Sequence, residues 1–156
     1  MHFVSNYHSR KGREITANPR AALVFHWDHS HRQLRIEGLI RQCSPSQSDA
    51  YFASRAWQSQ LGALASAQSE PIASRAALIA KLDAVTRRYG ETPTPGGAGI
   101  PRPAHWGGYL LWASAVELWV EGDARIHDRA RWTRELRPDA DGQVSAGAWS
   151  ATRLQP

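Results

Sequence analysis

The stretch Ala21-Ala22-Leu23-Val24-Phe25-His26, followed by the bend Asp28-His29-Ser30-His31 and then Gln33-Leu34-Arg35-Ile36-Glu37-Gly38, decides the class of this chain. The first run is compact, apolar and of strand length. In the second, Leu34, Ile36 and Gly38 alternate with Gln33, Arg35 and Glu37, the period of two that marks a half-buried strand. Two strands joined by a short polar bend form an antiparallel hairpin. Working outward, residues 2–5 read as the end of another strand, and Ser9 can cap a short helix that Asn18-Pro19 stops. On the other side, Ser44-Pro45-Ser46-Gln47 carries a capping residue, a proline at the first helical position and a capping-box Gln, which predicts a helix to about Ser54.

A longer helix is expected over 71–89, with Leu78, Leu82, Val85 and Tyr89 on one stripe and Gly90 as its stop. Thr92 to Pro103 is rich in Pro and Gly and reads as an exposed loop. Strands are expected again at Tyr109–Trp112, Val116–Val120, Arg131–Leu136 and Trp149–Leu154, the last two separated by a turn containing Asp141-Gly142. Strands, then helices, then strands give an α+β fold, or a barrel with helical excursions. Six or so short strands are too few to close most barrels, and the first has no strand before it. The expectation is a sheet completed by another chain, or a sequence that begins part-way through the fold.

At 156 residues the chain is read as a single domain, able to bury roughly 70% of its unfolded surface. It holds no apolar run near the roughly 20 residues of a membrane helix and no signal-peptide layout at Met1–Asn6, so no membrane partner is expected. The lone Cys43 excludes an internal disulfide and makes a reducing cytoplasm the default. The net charge is +5, yet only Lys11 and Lys81 are lysines, and the arginines are scattered beside aromatics and histidines instead of forming a stripe. That pattern speaks against nucleic acid and is compatible with phosphorylated aromatic ligands, because Arg grips phosphate bidentately and stacks on planar rings. On composition alone a solvated basic surface is the favoured reading.

Three constellations carry chemistry. Arg10 and Lys11 follow Ser9 in the first turn of a helix, where cations are unfavourable unless an anion is bound among them. Tyr51, Arg55 and Ser59 follow at spacings of four; the spacing puts Tyr51 and Arg55 on one helical face, with Ser59 a turn beyond as the helix ends. Phenol, guanidinium and hydroxyl together suit a phosphate ester. Arg125, His127 and Arg129 would share one face of an extended segment, where their repulsion calls for an anion or polarised ring. Each set also admits a bland reading as solvated or structural side chains. No His/Cys/Asp/Glu spacing matches a metal site, and Gly96-Gly97-Ala98-Gly99 lacks the strand and helix that flank a phosphate loop.

Many short stretches, in order, resemble the pyridoxamine/pyridoxine 5′-phosphate oxidase family. They include Ser5-Asn6-Tyr7-His8-Ser9-Arg10-Lys11-Gly12, Ala50-Tyr51-Phe52-Ala53-Ser54-Arg55, Ser66-Ala67-Gln68-Ser69, Trp106-Gly107-Gly108-Tyr109, Glu117-Leu118-Trp119 and Arg125-Ile126-His127-Asp128-Arg129. The resemblance implies a split β-barrel that binds FMN as an obligate homodimer, with residues 1–90 a partial barrel and helices and 103–156 the dimerisation strands. It implies that Arg10 and Lys11 bind the FMN phosphate, and that Ser5, Gln33, Gln68, Ser69, Trp119 and Arg129 contact the flavin or its ribityl chain. Tyr51, Arg55 and Ser59 would grip the substrate phosphate, and Arg125 and His127 would hold the pyridine ring as the catalytic pair. The implied reaction oxidises pyridoxine or pyridoxamine 5′-phosphate to pyridoxal 5′-phosphate, with dioxygen as acceptor. The family carries a further stretch upstream, so the fold is expected to be incomplete at the amino terminus. Val4 stands where the family commonly has an aromatic, and Ala56-Trp57 where it has Pro and a basic residue. A phenazine-pathway flavin oxidase and a catalytically silent, dimerising flavin binder are the competing readings.

Overall fold

The computed structural model describes residues 1–140 and 143–156; the expected turn at Asp141-Gly142 lies outside the described residues. The elements are β1 (His2–Asn6), α1 (Arg10–Ala17), β2 (Arg20–Trp27), β3 (Arg32–Gln42), α2 (Pro45–Ser54), α3 (Trp57–Ala65), α4 (Arg75–Tyr89), β4 (Trp106–Val120), β5 (Asp128–Thr133), β6 (Leu136–Pro138), β7 (Val144–Ala146) and β8 (Ser150–Leu154). The strand order is β2-β3-β4-β5-β8, with β1 on β4 and a separate β6-β7 pair. The α+β class with helical excursions is therefore observed.

The chain forms two compact units. One contains residues 18–41 and 110–156. Here β2 and β3 pair antiparallel from Arg20↔Leu39 to Trp27↔Arg32, across a tight turn at Asp28–Ser30. Along β3 the side chains of Ile36 and Ile40 are buried, and Leu111, Ala115 and Val144 join them in the core. β5 pairs antiparallel with β4 and with β8. The second unit contains residues 2–17 and 42–109. Its core is Phe52, Leu61, Ile100 and Trp106, against which Leu82, Val85 and Tyr89 of α4 pack. Leu78, expected on the same stripe, is 39% exposed.

Several expectations need correction. The two strands expected at 109–112 and 116–120 are one strand, β4. The small residues between them mark a close crossing: a Cβ on Gly38 would lie 1.9 Å from the Trp112 carbonyl oxygen, and Ser114 Oγ donates to the Glu37 carbonyl at 3.3 Å. The long helix starts at Arg75, not residue 71, because Ser74 is its cap and accepts from the Ala77 amide. Ser44 caps α2 in a complete capping box, as expected. The expected strand at 131–136 begins earlier and divides into β5 and β6. The first strand does have a partner, β4. The 92–103 segment holds no helix or strand, but Ile100 turns inward and is 5% exposed.

Candidate functional site

The helical unit brings Ser5, Gln68, Arg55 and Ser59 together. Ser5 Oγ and the Asn6 backbone N–H both donate to Gln68 Oε1, at 3.1 and 3.2 Å. Two donors on that oxygen fix the orientation of the amide, so Gln68 presents its NH₂ as a donor group. A cleft of about 420 Å³ is lined by Ser5, Arg55, Ser59, Ser66, Gln68 and Trp106.

Arg55 reaches this cleft by a route that the fourfold spacing does not anticipate. α2 ends at Ser54, and Arg55 is its C-cap with extended backbone angles (φ −73°, ψ 153°). Ser59 lies in the first turn of α3, a helix with no start signal in the sequence because its cap, Ala56, has no side-chain acceptor. The expected single helical face for Tyr51 and Arg55, with Ser59 at the helix end, is therefore replaced by a break between two helices. The guanidinium carbon of Arg55 stands 4.7 Å from the centroid of Trp106, and its Nη1 is buried without a hydrogen-bond partner among the described residues. An uncapped helix start, an adjacent hydroxyl and a guanidinium with an unused donor are the parts of an anion site.

Tyr51 is 53% exposed and stacks on Trp106, ring centroids 6.3 Å apart. It lines a neighbouring apolar cleft with Phe3, Val4 and Cys43, so the Tyr51, Arg55 and Ser59 set is divided around Trp106. Trp106 was not among the expected site residues, although it opens one of the stretches that carry the family resemblance; the preference of Arg for a planar ring is a physical signal that sequence distance conceals. Burial raises the Tyr109 phenol, with Tyr7 a smaller cause, and raises the Cys43 thiol.

At the start of α1, Ser9 Oγ accepts from the Gly12 amide at 3.2 Å, the cap the sequence predicts. Arg10 and Lys11 are exposed; Arg10 pairs with Glu14 at 2.8 Å, and Lys11 Nζ lies 5.9 Å from the centroid of Phe3. The Arg10–Glu14 pair is solvated and weak, and an anion can compete for it. Ser69 is exposed with a left-handed backbone (φ 71°) and does not line the Arg55 cleft.

The β-rich unit holds the remaining residues. Gln33 lies on β3 opposite His26. Trp119 and Arg129 are register partners across β4 and β5. Arg129 is tied down: Nε and Nη2 donate to Glu117 Oε1 at 3.0 and 2.7 Å, and Nη1 donates to the Gln155 carbonyl at 3.0 Å. The expected extended face of Arg125, His127 and Arg129 does not form, because residues 123–125 make a tight turn in which Ala124 and Arg125 have positive φ. Arg125 and His127 instead line an open cleft with Ser30, His31, Glu121 and Asp123. The His127 and Trp119 rings are 4.7 Å apart.

Comparison with known proteins converges on one family. Residues 1–89 match the family described as pyridoxamine 5′-phosphate oxidase, and residues 106–156 match the pyridoxine 5′-phosphate oxidase C-terminal dimerisation region. A pyridoxine/pyridoxamine 5′-phosphate oxidase of Gluconobacter oxydans is 46% identical over 99% of this chain and 69% of its own length. One from Burkholderia lata is 49% identical over 99% of this chain, which spans 65% of that relative. Among solved structures, PhzG from Burkholderia lata, in complex with tetrahydrophenazine-1-carboxylic acid, superposes with a TM-score of 0.79 at 29% identity, covering 99% of this chain and 68% of PhzG. A pyridoxamine 5′-phosphate oxidase-related, FMN-binding protein from Nostoc punctiforme, at 15% identity, shares the fold with a TM-score of 0.64 over 99% of this chain and 72% of its own. The fold is thus the expected split β-barrel, and the chain belongs to the pyridoxamine 5′-phosphate oxidase family.

Proposed function

We propose that this chain binds FMN and serves the oxidation of pyridoxine or pyridoxamine 5′-phosphate to pyridoxal 5′-phosphate, with dioxygen as acceptor and as a homodimer. The observation that carries the reading is Arg55, whose Nη1 has no partner among the described residues while its guanidinium lies over Trp106 in a cleft shared with Ser59. A buried guanidinium donor left unsatisfied costs free energy, and a phosphate ester removes that cost. Arg55 and Ser59 hold the substrate phosphate, with the start of α3 adding its amide groups; Tyr51 borders this grip from across Trp106. The donor set also suits FMN: Arg10 and Lys11 would hold its phosphate, while Ser5, Gln33, Gln68, Ser69, Trp119 and Arg129 would meet the ribityl chain or ring. FMN held there would supply the two-electron redox chemistry between the substrate and dioxygen. Arg125 and His127 orient the pyridine ring, a placement on which rate depends steeply. The match of residues 106–156 to a dimerisation region supports the homodimer.

The likeness to PhzG favours a second reading, a phenazine-pathway oxidase. A ligand without a phosphate leaves the Arg55 donor unused, and this separates the two. The test is titration with pyridoxal 5′-phosphate and with pyridoxal, followed by absorbance, alongside peroxide release from pyridoxine 5′-phosphate in air with FMN. We expect strong preference for the phosphorylated ligand, and Arg55→Ala to weaken its binding roughly ten- to a hundredfold, as loss of a charge-assisted contact of about 1.5–3 kcal/mol requires. Equal affinity for both ligands in the unaltered chain would overturn the phosphate assignment. Ligand binding without peroxide would leave a silent binding protein.

A further inference from the structure

We infer that the backbone N–H of Gly122 fixes His127 as the tautomer protonated at Nε2, and that Gly122 with the turn after it is the positioning element of that ring. The Gly122 amide lies 3.2 Å from His127 Nδ1. A backbone N–H can only donate, so Nδ1 must offer its lone pair, and in a neutral imidazole the proton then sits on Nε2. The ring plane is held from the side by Trp119, at 4.7 Å between centroids.

Closing this short loop demands a residue without a side chain at 122. A Cβ there would stand 1.9 Å from the Ile126 carbonyl oxygen and 2.9 Å from its carbon, both backbone atoms that cannot swing away. The next residues are strained: Ala124 and Arg125 have φ of 52° and 66°, in the left-handed region that side chains disfavour. The preceding residue is pinned, since the Glu121 amide donates to the His31 carbonyl at 2.9 Å and its carboxylate lies 2.6 Å from His31 Nδ1. The turn is thus determined from both ends around one hydrogen bond to the imidazole.

The consequence concerns the ligand. His127 and Arg125 line the same cleft, and with Nδ1 engaged both side chains offer only donors to it. The group they meet is therefore an acceptor, such as an aromatic oxygen anion or a ring nitrogen lone pair. This last step rests on the proposed function; the tautomer does not.

The test is long-range ¹H–¹⁵N correlation NMR on the labelled full chain without substrate, at a pH of about 8. The His127 signals are assigned by their loss in His127→Gln. We expect a single tautomer with protonated Nε2 and unprotonated Nδ1. In Gly122→Ala we expect the same signals to move to a mixture of tautomers, and turnover to fall at least tenfold more than FMN affinity. Protonated Nδ1 in the unaltered chain would overturn the assignment, and an unchanged single tautomer in folded Gly122→Ala would overturn the positioning role. Should Gly122→Ala fail to fold, the tautomer in the unaltered chain decides. That measurement is made with no turnover, so its failure is distinct from failure of the proposed activity.

Discussion

Arg55 gathers the chemistry of the helical unit, because its guanidinium lies over Trp106 and it shares a cleft with the hydroxyl of Ser59 in the first turn of α3. Arg55→Lys is the sharper residue-scale probe. Lysine keeps the charge but loses the planar fork and its stacking on Trp106, so the Michaelis constant for pyridoxine 5′-phosphate should rise roughly tenfold, within the range of one such contact, with turnover little changed. Equal losses in turnover and in kcat/KM would instead place Arg55 at the reacting centre. Cys43 offers a second probe, since burial holds its thiol above the ordinary range. The thiolate is the reactive form, so the native chain carries less of it at mildly alkaline pH than the unfolded chain does. Alkylation of Cys43 by iodoacetamide should accordingly be slower in the folded protein than in denaturant, and an equal or faster native rate would contradict this.

At the scale of elements, the sequence reveals most where local chemistry starts or stops a segment. Ser9, Ser44 and Gly90 each perform their expected capping role, because a cap is a contact between near neighbours. α3 escapes detection because Ala56 provides no such contact, and that one omission hides how Arg55 and Ser59 meet. The turn at 123–125 escapes for a different reason: Ala and Arg rarely adopt positive φ, so nothing in their identity announces it. Ala124→Gly should relieve a left-handed cost of about 1–2 kcal/mol while adding chain entropy worth about 0.5–1 kcal/mol, a net gain of up to about 1.5 kcal/mol in urea unfolding. Gly38→Ala should do the opposite, because its new Cβ would meet the Trp112 backbone; a loss of about 2–4 kcal/mol is expected. Among the described residues a Cβ on Gly62 would meet nothing within 4 Å, so Gly62→Ala is the matched control and should be neutral or stabilising.

At the scale of the whole molecule, the match of residues 106–156 to a dimerisation region leads us to expect a two-fold dimer in solution. Light scattering at micromolar concentration should return twice the mass of 17.3 kDa, and a purely monomeric, folded sample would contradict it. Two-fold pairing buries one self-complementary surface, and it does not by itself silence every strand edge. β2 stands at the end of the strand order, and its Val24, Phe25 and Trp27 are exposed, with the Phe25 and Trp27 rings stacked 6.2 Å apart. From Ala21 to Phe25 this edge carries no charge and no proline, two of the devices by which natural sheets discourage further strands from adding. Such a segment is a template for cross-β growth whenever it is uncovered. The chain should therefore develop concentration-dependent turbidity that binds thioflavin on warming, and Val24→Lys should delay it by placing a solvated charge on the edge. Chain survival in solution then depends on whatever covers eight residues of β2.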